Sequence, residues 1–432
     1  MPAETGKPTA AIAYVIGTYP MQTTTFIDRE IEALRRRDIG LHLISIRRPT
    51  PEERVLEASE TAQSVIYLLP ARWSQMLAAH VRWALSRPGL FFTLPFYLFT
   101  RPHPSLLARV KTLLHFSEGV LAAAQLEDQR IAHVHAHFAD RAAVVAWVAA
   151  RLLGVSYSLF AHANDIYIAP VLLPEKIKHA SFVATCTEYN RAHLTAVGAE
   201  HRPWPIERIY HGLDLSRFQP PVPRRLTQQR ILSVGQLREK KGHVYLIHAC
   251  RQLRDRGYSF TCDIIGDGSQ RDELQTLVES LQLTHIVCLR GMLPHREVLA
   301  YYEQASVFAL ASVIAPNADR DGIPNVFLEA MAMRVPVVGT QLSGIPELIR
   351  DGVNGLLVSP GEAGALAEAI ARIWDDPALA DRLADQGRAT VEQDFNIEKN
   401  VGHLAHLFER FLQNQAALEP IADATPTIST PS

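Results

Sequence analysis

"DRDGIPNVFLEAMAMRVPVVGT", residues 319–340, joins an acidic loop to a turn, a helix pattern and a buried-strand pattern. Pro324 suits the first turn of a helix, where its missing N–H costs nothing. Pro336 predicts the end of that helix, and the β-branched run after it predicts a buried strand. With Gly322 before it, the helix start would offer free N–H groups to an anion. The alternative is a structural helix with Glu329 on a solvated face, and this stretch alone favours neither.

Short apolar runs alternate with helical patterns over almost the whole chain. Continuous apolar character is typical of parallel strands covered on both faces, and the strand–helix rhythm predicts right-handed crossovers. We therefore predict an α/β fold of two doubly wound, Rossmann-like parallel-sheet domains that face a central cleft, where ligands bind at the carboxyl ends of the strands. The predicted strands are AAIAYVI, LHLISI, IAHVHAHF, YSLFA and SFVATC in the first half, and RILSVG, FTCDIIG, HIVCLRG, SVFALAS and VPVVGT in the second.

A Pro-rich stretch without periodicity, "RFQPPVPRRLTQQR", separates the two halves. It predicts an N-terminal domain over residues 9–218, a linker over 219–229 and a C-terminal domain over 230–395. Apolar residues at helical spacing then predict an amphipathic helix over 396–416, which we expect to cross back to the N-terminal domain. The Pro/Thr/Ser-rich residues 417–432 predict a disordered tail.

Composition excludes several classes of protein. The 432 residues are 47% apolar with a formal net charge of −2, so no basic excess points to nucleic acid. The polar start "MPAETGKPTA" lacks a secretion-signal pattern, which leaves the cytoplasm as the expected location. The four cysteines have no CxxC spacing and predict buried thiols in a reducing compartment: Cys186, Cys250, Cys262 and Cys288.

One basic segment differs from the rest of the chain. From Arg72 to Lys111 there are six Lys or Arg and no Asp or Glu, interleaved with Trp73, Trp83 and the run "PGLFFTLPFYLFT". That run is too short and too broken by proline to span a bilayer. It favours a basic aromatic surface that lies on the inner face of an anionic membrane, and the alternative is a buried helical insertion with outward arginines.

The turn in "VGQLREKKGHVYLI", residues 234–247, follows a strand and carries Arg238, Lys240 and Lys241. This pattern is typical of a phosphate-binding turn with lysine as a point charge. Neither GxxxxGK[ST] nor GxGxxG is present, so a nicotinamide or flavin cofactor is disfavoured and none is predicted.

Histidines mark the carboxyl ends of two N-terminal strands. His133, His135 and His137 alternate on one strand and share a face, but no carboxylate or cysteine accompanies them at ligand spacing, so no metal site is predicted. His137 lies nearest the strand end and is expected at the cleft. In "FAHANDIY", three further polar residues follow a strand and predict a ligand site more readily than a core: His162, Asn164 and Asp165.

These motifs together resemble a known family. "VGQLREKKG", "IIGDG", "LRGMLP", "DRDGIPNVFLEAMAMRVPVVGT" and "SGIPELIRDGVNGLLV", in this order, are similar to the C-terminal half of family 4 retaining glycosyltransferases, which have the GT-B fold. "IYHGLDLSRF" resembles the interdomain segment of that family. "HAHFADRAAVVAWVAARLLGVSYSLFAHANDIY" resembles its bacterial exopolysaccharide, colanic-acid branch.

The resemblance implies roles for the site residues. The N-terminal domain would bind a saccharide or lipid-linked oligosaccharide acceptor, and the C-terminal domain a nucleoside-diphosphate sugar. Asp321 and Glu329 match the family's acidic pair, with Glu329 on the ribose hydroxyls. Lys241 would neutralise the departing diphosphate, and His162 would lie near the reacting sugar carbon. Further donor contacts are implied at Gly17, Gln236, Arg238, Arg290, Gly291, Gly322, Ile323, Pro324 and Asn325, and acceptor contacts at His137, Asn164 and Asp165. No metal is required.

The sequence also departs from the family pattern. Gln236 replaces the usual arginine after the first glycine of the C-terminal domain, so Arg238 or Lys240 would substitute. Asp321 is one methylene shorter than the usual glutamate. Two alternatives stay open. One is another enzyme with the same GT-B fold, such as a phosphorylase or an epimerase. The other, which the two changes favour, is a non-catalytic sugar-nucleotide-binding subunit of a polysaccharide assembly complex.

Overall fold

The computed structural model describes residues 11–21, 24–50, 64–168, 170–198, 205–221 and 228–413. Within these ranges two parallel sheets form two α/β domains. The strands of the first sheet are β1 (Ala11–Thr18), β2 (Leu41–Arg47), β3 (Val65–Leu69), β4 (Ile131–His137), β5 (Ser156–Ala161), β6 (Phe182–Thr185) and β7 (Ile206–Arg208). Those of the second sheet are β8 (Gln229–Val234), β9 (Phe260–Ile265), β10 (Val287–Gly291), β11 (Val307–Ala309), β12 (Val337–Thr340) and β13 (Leu356–Val358).

Helices connect the strands. In the N-terminal domain these are α1 (Thr25–Arg35), α2 (Trp73–Ser86), α3 (Pro88–Thr100), α4 (Leu106–Leu126), α5 (Arg141–Leu153), α6 (Asn164–Tyr167), α7 (Leu173–His179) and α8 (Glu188–Gly198). The C-terminal domain has α9 (His243–Asp255), α10 (Arg271–Ser280), α11 (His295–Gln304), α12 (Asn325–Ala332), α13 (Ile345–Leu348), α14 (Ala363–Asp375) and α15 (Pro377–Asp394). Helix α16 (Ile397–Gln413) follows.

Both sheets are doubly wound, as the sequence predicts. The strand orders are β3-β2-β1-β4-β5-β6-β7 and β10-β9-β8-β11-β12-β13, and the named strand pairs are all parallel. Alternate residues of β1 enter different cores: Ala13 and Val15 pack on the side of α4 and α5, whereas Ile12, Tyr14 and Ile16 pack with α1 and α16. Helices therefore cover both faces, which explains the continuous apolar runs.

All ten predicted strands are present, and three further strands are not among the predictions. The missed strands are β3, β7 and β13, and each lies at the edge of its sheet. β7 and β13 have only three residues each. An edge strand pairs on one side only, so its sequence carries a weaker apolar signal than that of a central strand.

The helix after the 322–325 turn is shorter than predicted. Its first helical residue is Asn325, with Pro324 as the preceding cap, and it ends at Ala332 rather than beside Pro336. Arg334 has φ of 55°, in the left-handed region. The chain thus leaves the helix through a left-handed turn before the proline is reached.

Helix α16 packs against the N-terminal domain although it follows the C-terminal one. Val401, Leu404 and Phe408 are buried in the same core as Ile12 and Tyr14 of β1. Outside this core, Arg36, which directly follows α1, donates to the Glu398 carboxylate at 2.6 Å. Three predicted segments lie outside the described residues: the end of the last helix (414–416), the tail (417–432) and residues 222–227 of the linker.

The basic segment forms α2, α3 and the start of α4. Eleven of the fifteen large apolar side chains that are exposed in the described ranges lie between residues 73 and 114. On α2 they recur every fourth residue, and α3 and α4 add more: Trp73, Leu77, Val81, Leu85, Phe92, Phe96, Phe99, Leu106, Leu107, Val110 and Leu114. We call this set the apolar face. Among the described residues, no helix is both long and apolar enough to cross a bilayer.

The four cysteines are free thiols. Cys186, Cys250 and Cys262 are buried, as predicted, but Cys288 is half-buried. Cys288 lies on β10, which is an edge strand of the second sheet: among the described residues, no strand pairs with its outer side.

Candidate active site

The predicted phosphate-binding turn and the acidic loop meet where the order of the second sheet reverses. Lys241 follows β8 and Asp321 follows β11, the two adjacent strands at this reversal. Lys241 Nζ donates to Asp321 Oδ2 at 2.8 Å, and Ser312 Oγ donates to the same oxygen at 3.1 Å. Lys240 Nζ contacts Asp319 at 3.0 Å and Asp321 at 3.7 Å. Such a reversal is where doubly wound sheets bind their ligands.

Two glycines allow these loops to pack closely. Gly242 has φ of 64°, and a Cβ atom there would lie 1.8 Å from the carbonyl oxygen of Ala311. At Gly266, with φ of 141°, a Cβ would lie 1.9 Å from the carbonyl oxygen of Gly235. Any side chain at either position would push the lysine-bearing turn away from its neighbours.

The two lysines of this cluster stabilise the ionised form of Asp321. Burial pushes the pKa of Asp321 upward, but the ammonium groups of Lys241 and Lys240 outweigh burial and hold this pKa below its ordinary value. Asp321 is therefore ionised at neutral pH and keeps both lysines oriented. The ammonium groups of Lys240 and Lys241 can bind a diphosphate once they no longer contact the Asp321 carboxylate.

Glu329 lies on α12 and is bound by the other domain. Arg29 Nη2 of α1 donates to Glu329 Oε1 at 3.0 Å, and Tyr302 Oη donates to Oε2 at 3.3 Å. Both charged side chains are about nine-tenths buried. Burial raises the pKa of Glu329, but hydrogen bonding from His295 and the charge of Arg29 outweigh burial, so the net shift is downward. The carboxylate is thus charged, desolvated and shared between the domains.

His162 lies in a stack of aromatic rings at the end of β5. Its ring centroid is 4.4 Å from that of Phe138 and 5.1 Å from that of His211. Burial and the neighbouring histidines hold its pKa well below the ordinary value, so the ring is neutral at pH 7. Within the described part of the chain, neither of its ring nitrogens has a hydrogen-bond partner. Buried polar atoms without partners are uncommon and are often completed by a ligand or water.

The three acceptor candidates occupy different environments. Asp165 is buried, and its carboxylate accepts from the backbone N–H of Ala139 at 2.5 Å and of His162 at 2.9 Å. His137 is fully buried, with Nε2 2.8 Å from Glu30 Oε1, so its side chain faces the core rather than solvent. Asn164 is exposed. In this conformation only Asn164 presents its side chain directly to solvent.

The remaining donor candidates lie around the carboxyl ends of the strands. Arg290 is held by Asp263 at 2.7 Å, and Gly291 has φ of 73° at the end of β10. Arg238 is exposed and Gln236 is half-buried in the turn after β8. Gly17, in the other domain, accepts from Arg141 Nη2 through its carbonyl at 3.0 Å.

The two domains contact each other at the turn that precedes α12. A Cβ atom on Gly322 would lie 3.4 Å from Thr187 of the N-terminal domain. Thr187 Oγ1 accepts from the backbone N–H of Asn190, whose side chain donates to the carbonyl of His162. Glu347 accepts from the backbone N–H of Glu188 at 2.7 Å, at the start of α8. The turn over residues 322–325, which includes Ile323 and Pro324, therefore lies beside Thr187, and Thr187 is linked to His162 through Asn190.

Sequence reasoning missed Arg29, Tyr302, Ser312 and His211. Glu30 on α1 offers a partial signal, since it falls three residues after Ile27 on the buried face of an otherwise amphipathic helix. Such a charge indicates a buried partner, which here is His137. Nothing in the sequence pairs Arg29 with Glu329, because the two residues are 300 positions apart.

A family model for "Glycosyl transferases group 1" matches residues 216–390. These residues contain the turn after β8, the acidic loop and α12. The family resemblance that the motifs carry is thereby confirmed for the C-terminal domain.

One sequence relative is named for polysaccharide biosynthesis. A protein of Escherichia coli K12 named for colanic acid biosynthesis, the glycosyltransferase WcaL, is 41% identical over 201 residues. The match covers 46% of this chain and 49% of that protein. The chain thus spans about half the length of this curated relative.

Solved structures share the fold over almost the whole chain. A glycosyltransferase from Rickettsia africae superimposes with a TM-score of 0.69 at 16% identity, covering 94% of this chain and all of that one. Anabaena Alr3699/HepE in complex with UDP-glucose gives a TM-score of 0.68 at 17% identity, covering 93% and 99%. The two-domain GT-B architecture is therefore confirmed.

Proposed function

We propose that this protein is a retaining glycosyltransferase that moves a sugar from a nucleoside-diphosphate sugar to a saccharide acceptor in exopolysaccharide biosynthesis. The observation that carries the proposal is the Lys241–Asp321 cluster beside α12 in a domain of the group 1 glycosyl transferases. The UDP-glucose complex of a structural neighbour supports a nucleotide-sugar donor. The relative named for colanic acid biosynthesis supports a polysaccharide pathway.

The diphosphate would bind between Lys241 and the start of α12. Backbone N–H groups of residues 322–325 and the helix dipole favour negative charge there. As the bond to the sugar breaks, the charge on the diphosphate increases, and Lys241 stabilises the transition state more than the ground state. The departing phosphate oxygen then takes the proton of the acceptor hydroxyl on the same face of the sugar, which accounts for retention without a protein nucleophile.

His162 would serve as a neutral hydrogen-bonding group beside the sugar. Its two ring nitrogens offer one donor and one acceptor, which suits a sugar hydroxyl. Because burial keeps the ring uncharged, it adds no positive charge to compete with Lys241 for the diphosphate. The role is positioning of the sugar, and no metal or other cofactor is needed for it.

Glu329 would bind the ribose hydroxyls, and this role is directly testable. We expect one nucleotide sugar from a panel of UDP, GDP and other donors to raise the melting temperature of the wild type. Glu329→Gln should abolish this shift, because an amide accepts ribose hydroxyls weakly and at one oxygen only. At a donor concentration 100 times Kd, the lost stabilisation is about 2.7 kcal/mol.

Glu279→Gln on α10 is the matched control, since its side chain is exposed and far along the chain from α12. The donor should stabilise this variant as it does the wild type. Equal stabilisation of the Glu329 variant would overturn the ribose assignment. Stabilisation without transfer or hydrolysis by any donor would favour a non-catalytic sugar-nucleotide-binding subunit, and a requirement for inorganic phosphate would favour a phosphorylase.

The apolar face would hold the protein on the inner leaflet of the cytoplasmic membrane. Its apolar side chains alternate with Arg72, Arg82, Arg87, Arg109 and Lys111, a combination suited to an anionic interface. Part of this charge is satisfied within the protein, because Arg82 contacts Glu127 at 2.7 Å. The apolar side chains supply the larger share of the attraction.

We expect the double variant with Trp73→Glu and Leu77→Glu to be released from vesicles that contain phosphatidylglycerol. The two side chains are 89% and 66% exposed, so the fold tolerates the changes. Each apolar side chain withdrawn from the membrane costs about 1.5–3 kcal/mol, which predicts at least a tenfold loss of partitioning in co-sedimentation. Val353→Glu, a 45% exposed site on the other domain, is the control and should partition normally. Equal partitioning of both variants would contradict membrane binding by this face.

A further inference from the structure

A cavity of about 540 Å³ lies in the N-terminal domain, beside the carboxyl ends of β4 and β5. Its walls come from the starts of α4, α5 and α6, the segment between α6 and α7, and helix α7. This volume falls in the range of small-molecule sites. The side chains that matter for its chemistry are Ser105, Leu107, Lys111, Arg141, Asn164 and Lys176.

Lys176 places a buried ammonium group in the wall of this cavity. The side chain is 1% exposed, and Nζ donates to the carbonyl oxygens of Ala139 at 2.7 Å and Asp140 at 2.9 Å. An ammonium group has three donors, so one remains for a ligand. Burial lowers the pKa of Lys176 to about 8, which leaves the group charged at pH 7.

Two further cations and two helix starts add to the positive potential. Arg141 and Lys111 line the cavity, with Lys111 exposed at its mouth. Helices α4 and α5 begin here, with Ser105 and Asp140 as caps, and their dipoles favour an anion. Two carboxylates in the lining oppose this potential, but both accept from backbone N–H groups: Asp165 from Ala139 and His162, and Asp140 from Ala142. An anionic ligand is therefore favoured over a neutral one.

Arg141 connects the cavity to the candidate active site. Its Nη2 donates to the carbonyl of Gly17 at 3.0 Å and contacts Thr18 Oγ1 at 3.1 Å. Both residues end β1, next to β4 where the order of the first sheet reverses. A molecule in the cavity would thus lie beside the loop that faces the donor.

One side of the cavity is apolar and continuous with the apolar face. Leu107 lines the cavity and is 62% exposed, and Leu106, Val110 and Leu114 extend this surface along α4. We propose that the cavity binds the phosphate-bearing head of a lipid-linked saccharide acceptor, with the lipid chain lying along α4. The inference rests on the proposed glycosyltransferase function and names the chemical class of its acceptor.

Farnesyl diphosphate is a suitable probe, because it joins a diphosphate to a short isoprenoid chain. Isothermal titration calorimetry of the full chain should show binding of this probe, with inorganic diphosphate and farnesol each at least about tenfold weaker. Lys111→Glu should weaken binding of the probe by at least about tenfold through charge repulsion. Lys178→Glu, an exposed lysine on α7 outside the cavity, is the matched control and should bind normally.

Two more variants separate this site from others. Leu107→Glu should weaken farnesyl diphosphate but not inorganic diphosphate, and Lys241→Ala should bind the probe as the wild type does. Loss of binding in Lys241→Ala would place the probe in the donor site and overturn the proposal, as would equal binding by Lys111→Glu and the wild type. The donor-induced melting shift, measured on Lys111→Glu, tests the proposed function separately: if that shift persists while the probe fails to bind the wild type, only the cavity assignment fails.

Discussion

Lys241→Ala should lower the rate of sugar transfer by about 10²–10³-fold, the effect typical of removing one preorganised group that stabilises developing charge. The ammonium of Lys241 lies 2.8 Å from Asp321 and is held in the turn after β8. Its charge meets the diphosphate most strongly when the bond to the sugar breaks, so kcat should fall more than donor affinity. Steady-state kinetics with the donor identified by melting shift measure both quantities.

Lys240→Ala is the matched control for this prediction. Lys240 carries the same charge in the same turn, but its Nζ is nearest to Asp319, at 3.0 Å. We expect its loss to reduce kcat by less than about tenfold, because its charge is paired mainly with Asp319 rather than directed at the diphosphate. Equal losses in the two variants would show that the total charge of the turn matters and that the position of Lys241 does not. Such a result would remove the assigned role from Lys241.

The free energy of unfolding should fall steeply as the pH decreases from 7 to 5. Burial lowers the pKa of His133 to about 3 and of His243 to about 4, from 6.5, and holds those of His135 and His162 well below their ordinary value. Each ring is neutral when folded and takes up a proton on unfolding below about pH 6.5. The unfolded state then binds more protons, so each group costs about 1.4 kcal/mol per pH unit.

Two carboxylates act in the opposite direction. Burial raises the pKa of Asp28 and of Asp165 to about 6, so the folded state binds more protons than the unfolded state between about pH 4 and 6. They offset part of the histidine effect and leave a net loss on the order of 5 kcal/mol at pH 5. Urea unfolding followed by circular dichroism at a series of pH values measures this loss.

His133→Gln tests whether the buried histidines cause the loss. The amide can still bond the hydroxyls of Ser156 and Ser158, which contact the His133 ring nitrogens at 2.6 Å. The variant should lose about 1.4 kcal/mol per pH unit of slope between pH 6.5 and 5, whereas His406→Gln, at a mostly exposed site, should keep the wild-type slope. A stability that is constant between pH 7 and 5 would contradict the prediction for the whole group.

Local patterns in the sequence were sufficient for the architecture of the two domains and for placing the candidate site at the carboxyl ends of the strands. Continuous apolar runs identify the central strands because those strands are buried on both faces, and glycine-bearing turns after them identify the ligand side of each sheet. The turn with Lys241 stood out because it follows a strand and is basic, whereas the pairing of Asp321 with Glu329 came from the resemblance to a known family. The central strands and the turns after them depend on residues that are close together in the chain, so the periodicity and spacing of residue types predict them.

Only the tertiary structure shows which distant groups meet. The Arg29–Glu329 pair joins two domains, and the edge strands β3, β7 and β13 form because neighbouring strands offer them hydrogen-bonding partners. The cavity around Lys176 is assembled from α4, α5, α6, α7 and the segment between α6 and α7. Each of these depends on packing between segments far apart in the chain. No local propensity encodes such contacts, because their free energy arises from desolvation and pairing that exist only after the domains have folded.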